Sequence, residues 1–128
     1  MDGGGAIYEM TLTGSSWTVD QRPGPHACPS FWPPRPYVRS DSTDAILYRT
    51  CSSQVYEIYR TGPSSWYFGN LTAITGAPPA WSSPYPYVRS DGINSVVFQQ
   101  YLDGGHIYEI YLQSGWRFAD LSDAAGGL

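Results

Sequence analysis

The sequence has 128 residues, a formal net charge of −4 and only 7 basic residues, all of which are arginines. A surface that binds nucleic acid or an anionic membrane needs clustered cations, so the composition argues against both kinds of partner. The length suits one domain, and the combination of 16% aromatic residues with 14 Gly and 11 Pro predicts short strands joined by turns rather than helices.

The chain begins with a partial copy of a pattern that later occurs twice in full. AIYEMTL at residues 6–12 and SSWTVD at residues 15–20 predict two strands. The connector that follows, CPSFWPPRP, is rich in proline and is predicted to run over the surface. Residues 1–35 are therefore interpreted as a partial repeat with its connector.

Two complete copies follow. The first, residues 36–85, starts with PYVRSD and contains four predicted strands, PYVRS, AILYR, VYEIYR and WYFGNL, before the connector PPAWSSPYP. The second, residues 86–128, repeats PYVRSD letter for letter and continues with SVVF, IYEIYL and WRFADL. Asp91-Gly92 and Asp103-Gly104 supply turn residues that suit hairpins.

Both faces of the predicted strands carry apolar or aromatic side chains. In IYEIYL, residues 107–112, alternation places Ile107 and Tyr111 on one face and Tyr108 and Ile110 on the other. A sheet of such strands is covered on both sides. Four short antiparallel strands that recur at a fixed long period predict the blades of an all-β β-propeller. A β-sandwich, the main alternative, predicts no such period.

The repeats amount to about two and a half four-stranded antiparallel blades in a single domain, fewer than the roughly four to eight blades of a closed propeller. Open ends would leave aromatic faces in water, so we expect a homo-oligomer that completes the ring. Either two chains with three blade positions each or three chains with two blades each would close such a ring. We prefer the dimer.

The N-terminal residues MDGGGAIYEM lack the basic region and apolar stretch of a signal peptide. No run of residues approaches the roughly 18 apolar residues that span a membrane. We therefore expect synthesis in the cytoplasm, with release to the exterior by another route left open, and no insertion into a membrane.

The residues of common catalytic and metal sites are sparse. No HExxH, GxSxG, P-loop or Cys–His cluster occurs, so we expect no catalysis, no cofactor and no metal. His26 and His106 are isolated, and a surface hydrogen bond is the preferred role for His106. Cys28 and Cys51 lack CxxC spacing. Free buried thiols are the preferred interpretation, and a disulfide between them is the alternative.

The combined repeat motif resembles that of a known family. YVRSDGINSVVF, IYEIYL and WRFADLS, with the linker TGAPPAWSSPYPYVRSD, are similar to the repeat of the PLL-like bacterial β-propeller lectins. The resemblance covers nearly the whole chain and is strongest over residues 86–126 and weakest over 18–34. It implies a propeller with carbohydrate sites in clefts between adjacent blades, often for fucose-like or O-methylated sugars.

The resemblance makes a multivalent, non-catalytic lectin that binds glycans the first functional hypothesis. A structural or protein-interaction propeller without sugar binding is the alternative, and an enzyme with its site in the central channel is the third. Sugar recognition needs an aromatic side chain under the apolar face of the sugar, together with polar groups that bind hydroxyls.

The connectors supply the first candidate sugar-binding residues. Trp32 and Trp81 lie in equivalent proline-rich connectors, where a large indole has less reason to be unless it packs or binds. The alternative is that both fill the gap between blades. Tyr85 is close to Trp81 in sequence and is a candidate for the same site.

The repeated charges supply the second set of candidates. Glu9, Glu57 and Glu109 recur at equivalent strand positions, and a glutamate on a buried face needs a partner. Arg39 and Arg89 are the natural partners of the last two. A structural Arg–Glu pair is the preferred interpretation, and sugar contact by Arg39, Arg89, Glu57 and Glu109 is the secondary one.

Two further sets of repeated residues are given structural roles. Trp17, Trp66 and Trp116 recur in all three copies, and core packing is the expectation for a periodic aromatic residue. Asp41 and Asp91 are expected to cap the turn that follows PYVRS.

Overall fold

The computed structural model describes residues 5–27, 33–63, 65–100 and 105–125. Every strand predicted from the sequence is present, with ends within two residues of those expected, so the all-β class is confirmed. The elements are β1 (Tyr8–Thr13), β2 (Ser16–Gln21), β3 (Arg35–Val38), β4 (Asp44–Arg49), β5 (Val55–Gly62), β6 (Ser65–Asn70), α1 (Leu71–Thr75), β7 (Tyr85–Val88), β8 (Asn94–Gln99), β9 (Ile107–Leu112), β10 (Trp116–Asp120) and α2 (Leu121–Ala124).

The strands form three antiparallel sheets that follow the repeats. Sheet 1 contains β1 and β2, sheet 2 contains β3 to β6 in chain order, and sheet 3 contains β7 to β10 in chain order. The register also repeats, because Glu57 lies opposite Leu47 in sheet 2 and Glu109 lies opposite Val97 in sheet 3. Each copy of the sequence pattern is therefore one copy of the same structural unit.

A hydrophobic core joins sheets 2 and 3. Leu47 and Val55 of sheet 2 share one buried cluster with Val96, Phe98 and Ile110 of sheet 3. Full burial of side chains of this size contributes about 1.5–3 kcal/mol each. Apolar side chains on this face of sheet 2 are thus explained by contact with sheet 3.

A second core joins sheets 1 and 2. Ile7, which precedes β1, shares a buried cluster with Tyr48 and Ile58 of sheet 2, and Tyr56 and Trp66 pack at its edge. The sequence prediction that the strands are covered on both faces is therefore confirmed for sheet 2.

The outer faces of sheets 1 and 3 point away from sheet 2, and no described sheet packs on them. Trp17, on the outer face of sheet 1, is 62% exposed. The expectation of core packing holds for Trp66 and Trp116, which pack against the two clusters, and is wrong for Trp17. Trp66 packs at the boundary between sheets 1 and 2, and Trp116 packs at the boundary between sheets 2 and 3. Trp17 is exposed because no described sheet packs on its face of sheet 1.

Two short helices, which the sequence patterns did not predict, follow the last strands of the two complete repeats. Asn70 caps α1 by accepting a hydrogen bond from the Ala73 backbone N–H, and Asp120 caps α2 in the same way from Asp123. Neither helix, nor any other in the described ranges, has the length and apolarity to cross a membrane.

The hairpin turns show one prediction that is confirmed and one that is wrong. Asp41 and Asp91 accept hydrogen bonds from the backbone N–H groups of Thr43 and Ile93, as expected for turn caps. Asp103-Gly104 lies outside the described residues. Cys51 is exposed in its hairpin loop and is disulfide-bonded, so the interpretation as a free buried thiol is wrong for it. Cys28 lies outside the described residues.

Candidate functional site

A cleft of about 660 Å³ opens between sheets 1 and 2. Sheet 1 has two strands and sheet 2 has four, and the cleft is lined by residues of β1, β3 and β4 together with Trp66 of β6. Six of the side chains that line the cleft are Glu9, Met10, Val38, Asp44, Ile46 and Trp66. The lining therefore combines an indole, two carboxylates and an apolar wall.

Trp66, which lines this cleft, is in contact with two arginines that lie beside the cleft. The guanidinium carbon of Arg22 is 4.7 Å from the Trp66 ring centroid, and that of Arg60 is 5.6 Å away. Contacts of this kind stabilise by about 0.5–2 kcal/mol each. Arg22 also lies 4.0 Å from Glu9, and Arg60 forms an ion pair with Asp44. Each cation beside the indole thus has its own carboxylate.

The cleft retains hydrogen-bonding capacity. The Arg22 side chain is only 8% exposed, yet its Nε–H has no hydrogen-bond partner among the described residues. A buried donor without a partner costs about 1–3 kcal/mol, and because Arg22 does not line the cleft, the accessible polar groups there are the carboxylates of Glu9 and Asp44. Asp44 is partly exposed and lines the cleft, so its carboxylate oxygens are accessible to a small molecule there. This arrangement can bind a ligand that has both hydroxyl groups and an apolar face.

The boundary between sheets 2 and 3 carries a closed version of the same chemistry. Arg39 donates hydrogen bonds to Glu57, and the Tyr37 hydroxyl donates another over 3.1 Å. The Arg39 guanidinium also lies over the rings of Tyr59, at 4.9 Å, and Trp116, at 5.8 Å. The expected pairing of Arg39 with Glu57 is present.

Electrostatics of this closed cluster are dominated by burial. Glu57 is 1% exposed, and burial raises the pKa of its carboxyl more than Arg39 and Tyr37 lower it. Burial and the Glu57 carboxylate together raise the pKa of Tyr37. A buried pair whose hydrogen bonds are satisfied within the chain has the features of the structural interpretation.

The equivalent cluster on sheet 3 is open. Arg89 is 2.8 Å from a carboxylate oxygen of Asp91 and 3.6 Å from one of Glu109. Glu109 accepts hydrogen bonds from the hydroxyls of Ser95, at 2.7 Å, and Tyr87, at 3.1 Å. This cluster lies on the outer face of sheet 3, where Glu109 is 7% exposed and Arg89 is the accessible member, with 34% of its side chain exposed.

The connector candidates lie apart from these clusters. Trp81 is exposed, and its backbone N–H donates to the carbonyl of Gln99, the last residue of β8. Arg89 precedes the start of β8, so Trp81 and Arg89 lie at opposite ends of a strand about 16 Å long. The structure does not bring Trp81 and Arg89 together. Trp32 lies outside the described residues.

Tyr85 has a defined partner in the neighbouring sheet. The Arg35 guanidinium donates to its hydroxyl over 3.1 Å and lies 4.4 Å from its ring centroid. This contact joins β3 to β7 at the edge of the two sheets. Tyr85 therefore links the sheets, and its contact with Arg35 does not involve Trp81.

Sequence reasoning missed three charged residues: Asp44, which lines the cleft, and Arg22 and Arg60, which contact its Trp66. Arg22 lies outside the repeated segments and had no equivalent to mark it. Asp44 and Arg60 are replaced by Asn94 and Leu112 in the second copy, so their signal was a pair of opposite charges present in one repeat and absent from the other. Such copy-specific charges mark positions that the repeat itself does not require.

The remaining polar residues and the comparisons add no other class of site. Among the described residues, no group of three or more His, Cys, Asp and Glu side chains is placed to hold a metal ion. The expected hydrogen bond of His106 is present, because its Nδ1 lies 2.8 Å from Asp120. No protein-family model and no curated protein matches the chain.

Proposed function

We propose that this chain is a carbohydrate-binding lectin without catalytic activity, built as about two and a half blades of a β-propeller. The observation that carries the proposal is the cleft between sheets 1 and 2, whose lining combines Trp66 with the carboxylates of Glu9 and Asp44 and with an apolar wall. The class of sugar, fucose-like or O-methylated, comes from the resemblance of the repeat to PLL-like lectins. A binding site between adjacent sheets agrees with the site expected from that resemblance.

The lining suits such a sugar in two ways. Asp44 offers charge-assisted hydrogen bonds to neighbouring hydroxyl groups, and Trp66 contributes aromatic surface to the cleft wall for the apolar side of the sugar. Val38 and Ile46 form an apolar wall where a methyl group of fucose or a methoxy group would be removed from water.

Calorimetric titration with methyl fucoside and with O-methylated monosaccharides tests the proposal. Asp44→Asn should weaken binding at least tenfold, since it removes a charged acceptor worth about 1.5–3 kcal/mol. Its effect on the free energy of unfolding should stay below about 1 kcal/mol, because the Asp44–Arg60 pair is partly exposed. Asp123→Asn removes an exposed carboxylate on α2 and serves as the matched control.

Two results would contradict the proposed site. Absence of binding to every sugar of these classes by the folded protein would reject the lectin function. Binding that is lost in Trp81→Ala and kept in Asp44→Asn would move the site from the cleft to the connector, in agreement with the sequence hypothesis for Trp81.

The second candidate function is a structural or protein-interaction propeller without sugar binding. It is favoured by the exposed aromatic and aliphatic side chains on the outer face of sheet 1. Large exposed apolar patches mark interaction sites. This face favours further copies of this chain as partners, with a dimer preferred over a trimer. Glycans are the partners that the first proposal implies.

A further inference from the structure

An arginine over a tryptophan of the next sheet occurs at both internal boundaries. Arg22, which follows β2, lies 4.7 Å from the ring centroid of Trp66 in sheet 2. Arg39 of sheet 2 lies 5.8 Å from that of Trp116 in sheet 3. Each arginine also lies beside the repeated glutamate of its own sheet. The two boundaries therefore use one kind of contact, although Arg22 and Arg39 occupy unrelated sequence positions.

One arginine and one tryptophan of this series have no counterpart within the described chain. Arg89 lies beside the third repeated glutamate and is 34% exposed on the outer face of sheet 3. Trp17 occupies the position of Trp66 and Trp116 and is 62% exposed on the outer face of sheet 1. The unmatched arginine is therefore on sheet 3, at one end of the row of sheets, and the unmatched tryptophan is on sheet 1, at the other end.

The outer face of sheet 1 has the composition of an internal interface. Leu12 pairs with Trp17 and Met10 pairs with Val19 across β1 and β2, so these side chains share a face. Their exposed members are Tyr8, Met10, Leu12, Trp17 and Val19.

Burial at equivalent positions shows how such a face is used elsewhere in the chain. Met10 occupies the place that Ile58 and Ile110 occupy in sheets 2 and 3, where both are fully buried against the preceding sheet. The sheet that precedes sheet 1 in such a row is missing from the described chain.

The outer face of sheet 3 has the composition that receives such a sheet. Tyr87, Glu109 and Tyr111 repeat the face of sheet 2 on which sheet 3 packs. Ile107 is exposed on this face, whereas Val55, its equivalent in sheet 2, is fully buried against sheet 3. The two outer faces are therefore complementary by the same contacts that already join sheets 2 and 3.

We propose that a second copy of this chain docks the outer face of its sheet 1 onto the outer face of sheet 3. Trp17 of the partner subunit then covers Arg89 and completes the cluster around Glu109, as Trp116 completes the cluster around Glu57. The contact is head to tail, because it joins sheet 1 of one copy to sheet 3 of another. Each copy in such a pair keeps one outer face for a further contact, so the copies form either a closed ring or an open row. The docking can be tested separately from sugar binding, because the residues changed in the test, Trp17, Val19 and Ile107, do not line the cleft.

Complementation between two variants tests the head-to-tail contact. Trp17→Glu blocks the face of sheet 1, and Ile107→Asp blocks the face of sheet 3. Size-exclusion chromatography with light scattering over a concentration series should show association of the wild type and at least tenfold weaker association of each variant alone. An equimolar mixture should regain association, because sheet 1 of the Ile107→Asp copy meets sheet 3 of the Trp17→Glu copy and both faces are intact.

Controls keep the outcome decisive. Ile74→Ala changes an exposed aliphatic residue of α1 that lies on neither face, and it should associate as the wild type does. Thermal unfolding monitored by circular dichroism verifies that each variant folds. If Trp17→Glu does not fold, Val19→Asp repeats the test on the same face of sheet 1.

Three results would overturn the docking. They are a wild type that stays monomeric throughout the series, variants that associate like the wild type, and a mixture that fails to regain association. Sugar titration of the same samples is read separately, so failure of the docking leaves the lectin proposal standing, and the reverse holds as well.

Discussion

The same six residues, PYVRSD, lie in two environments in this molecule. In sheet 2 the arginine of this segment, Arg39, is 12% exposed and is hydrogen-bonded to Glu57. In sheet 3 the equivalent Arg89 is 34% exposed and lies nearer to Asp91 than to Glu109. The local sequence is identical, so the difference arises from the sheet that covers the first arginine and from the absence of a described sheet over the second.

This comparison shows that a neighbouring sheet changes the partner of an arginine. Covering removes water from the Arg39–Glu57 pair, which strengthens their attraction and makes any unpaired charge costly. Without a cover, Arg89 stays in contact with water and turns toward a closer, exposed carboxylate. The arginine of the repeated ion pair is therefore largely buried where the sheets meet and accessible where they do not, while the glutamate is buried in both copies.

Replacing each of the two arginines by alanine should give the largest difference in the free energy of unfolding between the two environments. Arg39→Ala leaves the buried Glu57 carboxylate without its cation and should lower the free energy of unfolding by about 3–5 kcal/mol. Arg89→Ala removes a partly exposed ion pair and should lower it by about 1 kcal/mol or less, since Glu109 keeps two hydroxyl donors. Urea unfolding at one low protein concentration measures both values.

The two variants are each other's control, because they make the same change in the same six-residue context. Equal losses would mean that the cover of sheet 3 does not alter the energetics of Arg39. A larger loss for Arg89→Ala at low concentration would contradict the comparison outright.

The strands were predictable because their side-chain alternation is local. The bounds of β9 coincide with IYEIYL, and the equivalence of copies extends to the register opposite Glu57 and Glu109. The helices were not predictable from periodicity, since α1 and α2 have five and four residues. A helix that short completes little more than one turn, so its main signal is the capping residue.

The candidate site was predictable only where two charges repeat together. The pairing of Arg39 with Glu57 follows from a buried glutamate that needs a cation. Arg22 was not predictable, because the chain bends after β2 and brings an arginine from outside the repeat to Glu9 and Trp66. Which faces are covered is a tertiary property, and local sequence does not distinguish Trp17 from Trp66.

The pH dependence of the free energy of unfolding should show whether burial or attraction to Arg39 dominates the protonation of Glu57. Burial raises the pKa of Glu57, so the folded protein binds a proton there more tightly than the unfolded chain does. The stability that Glu57 contributes is therefore fully present below the ordinary glutamate pKa of about 4.3 and is lost as the pH rises through the raised pKa of the folded state. This effect should be smaller than that of Arg39→Ala.

Glu57→Gln isolates this contribution, because glutamine does not titrate. The free energy of unfolding of the wild type minus that of Glu57→Gln should fall as the pH rises from about 4 toward neutrality. Urea unfolding at several pH values gives the difference. A difference that grows with pH would show that attraction to Arg39 outweighs burial, and that the pair favours the charged form of Glu57.

The turns that follow the two PYVRSD segments should give the smallest effect. Ser42 has a φ of 70°, and Gly92, its equivalent in the second copy, has a φ of 84°. Both turns make the same backbone hydrogen bonds, from the arginine N–H to the carbonyls of Thr43 and Ile93. A left-handed conformation costs a residue with a side chain about 1–2 kcal/mol. Glycine avoids this strain, but it loses more backbone entropy on folding, which offsets part of the advantage.

Ser42→Gly should therefore raise the free energy of unfolding by about 0.5–1 kcal/mol, and Gly92→Ser should lower it by a similar amount. A Cβ atom at Gly92 meets no atom within 4 Å, so the expected loss reflects backbone strain and not a clash. Thermal unfolding of both variants and of the double exchange tests the symmetry of the two turns. Because both turns are exposed, equal and opposite shifts would show that the covering sheet acts on Arg39 and leaves the adjacent turn unaffected. A stabilisation limited to one copy would instead extend the influence of the cover to the turn.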